Sequence, residues 1–437
     1  MIKLNILNML NKIKKIHFIG IGGVGVSAIA RMARLKGIKV TGSDISTGKM
    51  IERIKNIGGK VFIGHKKENL SADTNLVIYS PAINENNPEL TFARKTNIPV
   101  YSYPEILGLL SKDMYTIAVS GSHGKTTTTC MIAELMIYGN LDPTVVVGGL
   151  LKKQQDNFVL GNSKYFVVEA CEYKESFLNL NPKILVILNI DNDHLDYYGN
   201  IENIKNAFIK LINKVPKDGF VVYNSEDKNI VAALKNCPEK CKRIDYAKEE
   251  LNIKLLIPGE HNIKNAKAAL VVAKLVGLKS DEAEKILKKY AGSWRRFEYK
   301  GESEKGALIY DDYGHHPTEI KATLSGTKEY FPDKNIIVVF QPHLYSRTRL
   351  LLDDFAESFK NVDEAIITDI YAAREQDDHS IHAKDLTEAI NKITNNAKYI
   401  KDFQEIEEYL KTKDANTVIL TIGAGDIYKI GENILKK

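Results

Sequence analysis

Short apolar runs alternate along this chain with longer stretches whose apolar residues recur at helical spacing. Lys15–Ile21, Ile38–Thr41, Leu76–Tyr79, Val100–Tyr101, Tyr115–Val119, Val145–Gly149, Tyr165–Val168, Ile184–Leu188, Ala307–Tyr310, Ile336–Phe340, Ala365–Thr368 and Thr417–Thr421 read as buried strands, most running into Gly, Ser, Asp or Asn. Between them, the sets Ile29, Met32, Leu35, then Met131, Ile132, Leu135, Met136, then Ala269, Val272, Leu275 each mark one helix face. Near-continuous apolar strands alternating with helices predict parallel sheets covered on both faces, an α/β fold. Pattern changes divide it into three α/β domains: a Rossmann-like domain over 1–107, a central phosphate-loop domain over 108–294 and a second Rossmann-like domain over 295–437. Hinges are expected near Gly108 and Trp294, where the patterns change over.

Composition narrows the class. With 437 residues, 44% of them hydrophobic, there is material for several cores, and no apolar run approaches the length of a membrane span. The lead from Met1 to Lys15 carries no cleavable signal pattern, so a cytoplasmic protein without a membrane partner is expected. Net charge is +6, from 61 basic and 55 acidic residues spread along the chain. That suits anionic substrates and predicts no nucleic-acid partner. The four cysteines, Cys130, Cys171, Cys237 and Cys241, are too few for a disulfide framework. Cys237 and Cys241 flank a segment that reads as a surface turn, with no second Cys/His pair to complete a zinc site.

The strongest motif is Ser120-Gly-Ser-His-Gly-Lys-Thr126, placed between a strand and a helix starting at about Thr127. Backbone N–H groups of Gly121, Ser122, His123 and Gly124 would surround phosphates, Lys125 would reach the β- and γ-phosphates, and the Thr126 hydroxyl would ligate Mg²⁺. Val119 stands where the strict pattern has its first glycine, so the loop is a variant. A second glycine motif, Gly20-Ile-Gly22-Gly23-Val-Gly25, follows the first strand, with Asp44 at the end of the next one. That is the dinucleotide fingerprint, but its physics guarantees only a diphosphate at a helix N-terminus, and UDP-linked compounds satisfy it equally. Ser80, Pro81 and Ala82 end another strand of the same domain.

Two later strands in the middle domain deliver Glu169-Ala-Cys-Glu172 and Asp191-Asn-Asp193-His194-Leu-Asp196, types suited to the outer ligands of a Mg²⁺–nucleotide site. Asn262 and Asn265 start a helix, either as caps or facing a nucleotide base. In the last domain Asp312-Tyr313-Gly314-His315-His316-Pro317 reads as a strand end and helix start, with metal ligation by the histidines as the alternative. Arg347 and Arg374 have the fork geometry to grip a carboxylate or phosphate.

Together these motifs, with Gly259-Glu-His-Asn262, Arg295-Arg-Phe297 and Gln341-Pro-His343, resemble the Mur ligase family over essentially the whole chain. The resemblance implies ATP-dependent amide formation between L-alanine and the lactoyl carboxylate of UDP-N-acetylmuramate, through an acyl phosphate, with ATP and Mg²⁺ as cofactors. It implies Lys125, His194, Asp312 and His315 as catalytic, and ATP held by Gly121 to Thr127 (Thr127 included) with Asn262, Asn265 and Arg296. The UDP-sugar would lie on Gly20, Gly22, Gly23, Gly25, Asp44, Ser80, Pro81 and Ala82, the amino acid on Tyr313, His316, Arg347 and Arg374, and metal on Thr126, Glu169 and His194. A monomer or homodimer is expected. Cys171 departs from the Asp usual in the family, and Ala207-Phe208 falls where sister ligases carry a carbamylated lysine, so neither Lys205 nor Lys210 takes that role. An NAD-dependent dehydrogenase would have no use for Lys125 and Thr126, and a binding protein without turnover no need of His194 or Asp312. Within the family, a recycling ligase that adds a ready-made peptide is the alternative.

Overall fold

The computed structural model describes residues 13–373, 375–377 and 379–436, and of Asp196 the backbone only. The lead Met1–Lys12 and Arg374 therefore lie outside the described residues. Among those described, no helix is long and apolar enough to cross a membrane. The described residues form two compact units, one of 13–250 and 267–286, the other of 251–266 and 287–436.

The first unit contains two sheets. One is β1 (Lys15–Ile19), β2 (Lys39–Asp44), β3 (Lys60–Ile63), β4 (Leu76–Tyr79) and β5 (Val100–Ser102), all parallel, in spatial order 3-2-1-4-5. The order reverses beside β1, so a crevice opens at the end of β1 where the glycine loop stands. Alternation explains both covered faces: Ile16 and Phe18 enter one core, Ile19 and Val77 the other. The other sheet is β6 (Tyr115–Ser120), β7 (Thr144–Leu151), β8 (Asp156–Val159), β9 (Tyr165–Glu169), β10 (Ile184–Ile187), β11 (Phe220–Tyr223) and β12 (Lys242–Asp245), in order 12-11-10-6-9-7-8. Only the β7–β8 edge is antiparallel. β6 lies between β10 and β9, which places the phosphate loop at a second reversal of strand order. β3, β8, β11 and β12 were not among the strands read from the sequence; all have four residues, and β3, β8 and β12 are partly polar strands at the sheet edges, whereas β11 is apolar and internal.

One hydrophobic core runs from Ile16 of the first sheet through Leu107 and Phe177 to Phe208 and Cys237 of the second. Cys237 is thus core, with only the following residues 238–240 exposed, which corrects the reading of the whole segment as a surface turn. The hinge expected at Gly108 is also corrected. Gly108 is buried inside the helix Tyr103–Asp113, and a Cβ there would stand 2.5 Å from Asn179 O, so glycine serves close packing. The helix Val24–Leu35 is tied to the β7–β8 hairpin: Arg31 pairs with Asp156 and Asn157, and Asn157 Nδ2 donates to Val24 O at 2.6 Å.

The second unit holds the third sheet: β13 (Glu298–Glu302), β14 (Leu308–Asp312), β15 (Asn335–Phe340), β16 (Glu364–Ile367), β17 (Ala397–Tyr399) and β18 (Thr417–Ile422), in order 13-14-18-15-16-17. All neighbours are parallel except β13–β14. Its two faces carry separate cores, around Phe340 and Phe355 on one and Ile309 and Ile419 on the other.

Candidate functional site

The phosphate loop is shaped by its glycines and by the strand beside it. Gly121 (φ 138°) and Gly124 (φ 83°) hold left-handed backbone, and the helix Lys125–Tyr138 begins at Lys125, two residues before the sequence pattern showed it. The turn after β10 grips the loop. Asn189 Oδ1 accepts from His123 N (2.7 Å), Asp191 N donates to Ser122 Oγ (2.9 Å), and His123 Nε2 lies 3.1 Å from Asp191 Oδ2. The His123 N–H, expected to face a phosphate, therefore already has an acceptor.

Around Lys125 the strand tips gather charge. Its Nζ donates to Gly121 O (2.6 Å), Ser122 O (3.0 Å) and Glu172 Oε1 (2.9 Å). Burial works against the ammonium, but Glu172, and behind it Cys171 and Glu169, outweigh burial and push the Lys125 pKa above its ordinary value. Thr126 Oγ1 lies 3.1 and 3.0 Å from the two oxygens of Glu169, and Gly148 N donates to Glu169 Oε2 at 2.8 Å. His194 adopts φ 54° at the start of the helix Leu195–Tyr198, a strained conformation for a residue with a side chain. Glu172, Asp193 and His194 each bring a ligand atom within 4.8 Å of the others, and Glu172 Oε2 and His194 Nδ1 are buried without a hydrogen-bond partner. Of this trio the expected metal set of Thr126, Glu169 and His194 named only His194, while Glu172 and Asp193 stand in the two motifs offered as outer ligands. Ala207 and Phe208 are core, Lys205 pairs with Glu202, and Lys210 Nζ lies 2.8 Å from Glu175.

In the first sheet, Gly20 N donates to Ser43 O at 2.9 Å and Gly22 N to Asp44 Oδ2 at 2.8 Å, while Asp44 Oδ1 accepts from Ile45 N at 2.8 Å. The acid expected to face a ribose or base here binds the glycine loop itself. Ser80 ends β4 beside the loop, and a Cβ on Gly20 would lie 3.0 Å from its Cβ. Exposed Ile45 and Ile63 border Asp44. Gly23 caps the helix Val24–Leu35, Gly25 lies in its first turn, and Pro81 and Ala82 continue the turn from Ser80.

The second unit brings its motif together around two arginines. Arg295, at φ 55° and 2% exposed, donates from Nε to Asp311 Oδ2 (2.7 Å) and from Nη1 and Nη2 to the carbonyls of Gly425 and Gly423 (3.0 and 2.5 Å). Arg296 lies 3.8 Å from Glu319 and over the Tyr313 ring. Asp312 accepts from Phe297 N (2.8 Å) and Gly314 N (2.7 Å); burial pushes its carboxyl up to about 6, against the pull of Arg296 and those two N–H groups. His316 caps the helix Pro317–Tyr330, its Nδ1 accepting from Thr318 N at 3.3 Å, as the helix-start reading expected. His315 Nδ1 is 3.2 Å from Tyr313 O, its ring is 5.8 Å from that of His343, and Arg347 Nη1 is 3.2 Å from His343 Nδ1. The asparagines are not caps: the helix Glu260–Leu275 starts before them, and Asn262 Nδ2 donates back to Pro258 O at 2.6 Å, with Asn265 one turn on. Burial pushes neighbouring His261 down to about 4, so its ring is neutral.

Comparison with known proteins agrees along most of the chain. Three family models match: Mur ligase family, catalytic domain, at residues 15–115; Mur ligase middle domain at 119–250; and Mur ligase, glutamate ligase domain, at 295–425. The chain is 45% identical over 429 residues to a UDP-N-acetylmuramate–L-alanine ligase of Clostridium acetobutylicum, covering 92% of this chain and 93% of the relative. A ligase of the same description from Caldanaerobacter subterraneus subsp. tengcongensis is 44% identical over 431 residues, with 92% and 93% covered. Among solved structures, a UDP-N-acetylmuramate-alanine ligase of Thermotoga maritima superposes with a TM-score of 0.80 at 29% identity, covering 96% of this chain and 98% of that one. A murein peptide ligase of Psychrobacter arcticus shares the fold, with a TM-score of 0.69 at 22% identity, 97% of this chain and 98% of that one being covered.

Proposed function

The chain belongs to the Mur ligase family, and on that premise we propose that it joins L-alanine to the lactoyl carboxylate of UDP-N-acetylmuramate, cleaving ATP to ADP and phosphate. The observation that carries this reading is the 45% identity to an enzyme of that description over nearly the full length of both chains. The peptide-adding alternative has likenesses in fold at 22% and 24% identity, and is not favoured.

In this reading the sugar nucleotide lies at the end of β1, ATP at the phosphate loop, and L-alanine at the strand ends of the third sheet, near Tyr313, His316 and Arg347. The carboxylate oxygen takes the γ-phosphoryl group and ADP leaves. The alanine nitrogen then attacks the acyl carbon, phosphate departs and the nitrogen gives up its proton. Phosphoryl transfer asks mainly for positioning and charge neutralisation, and Lys125 with the loop N–H groups supplies both. Asp312, ionised above about pH 6, and His315 are the candidate bases for the amine proton.

The residues fit Mg²⁺. Thr126 and Glu169 offer hard oxygen donors already drawn together, and His194 Nε2 lies 3.8 Å from Glu172, whose other oxygen is buried without a partner. Thr126, Glu169 and His194 would hold the ion, which when bound supplies positive charge against the phosphates. The test is phosphate release from ATP with UDP-N-acetylmuramate and either L-alanine or a murein tripeptide as acceptor. Release should require both the sugar nucleotide and L-alanine. Faster turnover with the tripeptide, or release without the sugar nucleotide, sinks the reading.

A further inference from the structure

One buried carboxylate has no place in that scheme. Glu89, in the helix Pro88–Lys95, has no exposed side-chain surface, yet is not left to repel its surroundings. Its Oε2 lies 3.0 Å from His17 Nε2 and accepts from Ser43 Oγ at 2.6 Å; its Oε1 accepts from Lys66 N at 3.0 Å and Asn69 Nδ2 at 2.6 Å. His17 is braced in turn, with Nδ1 2.8 Å from Thr41 Oγ1, and His65 Nδ1 lies 2.9 Å from Ser43 Oγ. Burial alone would raise the Glu89 carboxyl, but the bonds from His17, Ser43 and Asn69 outweigh it and hold the group below its ordinary value. Four donors from three separate segments converge on one ionised group, an arrangement that fixes geometry at the expense of desolvation.

What those donors hold is the floor of the glycine loop. Ser43, fixed through its hydroxyl, offers its carbonyl to Gly20 N at 2.9 Å and Ile21 N at 3.0 Å. Asn69 also donates to Gly64 O at 3.0 Å, and Gly64 N donates to Asp44 O at 2.7 Å, so the residue that takes the Gly22 N–H is pinned from the other side. The glycine loop thus sits one hydrogen-bonded residue from the Glu89 carboxylate through Ser43, and three from it through Asn69, Gly64 and Asp44. We propose that Glu89 is a positioning residue for the sugar-nucleotide site: through Ser43 and the Asn69–Gly64 bridge it sets the tip of β2, and with it the aim of the Gly20–Gly22 backbone. The proposal rests on the reading that this loop holds UDP-N-acetylmuramate.

The test compares Glu89→Gln, Ser43→Ala and Gly22→Ala for KM of UDP-N-acetylmuramate and of ATP, for kcat, for calorimetric Kd of UDP-N-acetylmuramate, and for thermal unfolding. Glu89→Gln should raise KM and Kd for the sugar nucleotide about 10-fold, with kcat and the ATP KM within about two-fold. Ser43→Ala, which keeps Glu89 and its other three donors, should move the same constants in the same direction by less, and carries the test if Glu89→Gln does not fold. A lowered Tm with unchanged sugar-nucleotide constants in both variants would overturn the proposal, as would an equal rise in both KM values. Gly22→Ala puts a Cβ 2.9 Å from Asp44 Oδ2 and probes the site itself. If it raises the sugar-nucleotide KM while Glu89→Gln and Ser43→Ala do not, positioning fails and the site reading stands; if it changes nothing, the site reading fails first.

Discussion

The glycine loop after β1 and the phosphate loop after β6 are built alike and charged differently. Each follows a buried parallel strand at a reversal of strand order, and each opens a helix. After β1 the side chain of Asp44 turns back to bind Gly22 and Ile45, so the loop is a fixed row of backbone dipoles without a lysine. After β6, Lys125, Glu169 and Glu172 stand within hydrogen-bond reach of the loop, with His194 beyond. The same backbone solution can therefore hold a diphosphate or move a phosphoryl group, and the side chains contributed by neighbouring strand tips decide which.

The comparison breaks most easily at Lys125. Lys125→Ala should lower phosphate release at least about 10²–10³-fold, leaving the Kd of UDP-N-acetylmuramate within about two-fold. It also strands the buried Glu172 carboxylate, which costs about 3–5 kcal/mol of stability, so folding should be checked by circular dichroism. Loss of both ligands in a folded variant would mean that the two loops do not divide the work. Glu169→Ala sharpens the same side: the Mg²⁺ concentration for half-maximal rate should rise about 10–100-fold, and an unchanged titration would remove Glu169 from the metal site.

On the other loop, Asp44→Asn weakens a charge-assisted bond to Gly22 and should raise the sugar-nucleotide KM by about 10-fold, with the ATP KM unmoved. An equal rise for ATP would erase the distinction. The third sheet offers a control for buried charge. Asp312 is raised from 3.8 to about 6, so its contribution to stability is complete below about pH 4 and is lost as pH rises through 6. Asp312→Asn should flatten that slope, gaining Tm relative to the parent between pH 5 and 7 by a few degrees; a parallel pH profile would contradict it. Cys171→Ala, at an exposed position between Glu169 and Glu172, should change kcat by less than about two-fold. A larger loss from a folded enzyme would give the thiol a part in the charged cluster.

Local signals carried much of this. The apolar run Tyr115–Val119, the turn glycines Gly121 and Gly124, and the helix beyond need only neighbours in sequence, because strand burial, left-handed backbone and helix initiation are set within a few residues. The Gly20–Gly25 motif was legible for the same reason, as was the helix start at His316-Pro317. The short strands β3, β8, β11 and β12 were not, since four residues, partly polar in β3, β8 and β12 and apolar in β11, are too few to show a period and take their structure from the sheet they join.

The sequence by itself therefore determined the alternation of strand and helix, both glycine loops and the kinds of side chain at the strand ends. Only the tertiary structure decided which of those side chains meet. Strand order, unlike strand identity, is set by long-range packing, and it alone puts Glu169 against Thr126 and Glu172 against Lys125. It also turned Asp44 inward, made Gly108 a packing site in place of a hinge, and joined His17, Ser43, Lys66 and Asn69 on Glu89. A buried charge must find its partners wherever the fold brings donors close, and no spacing along the chain reveals where that will be.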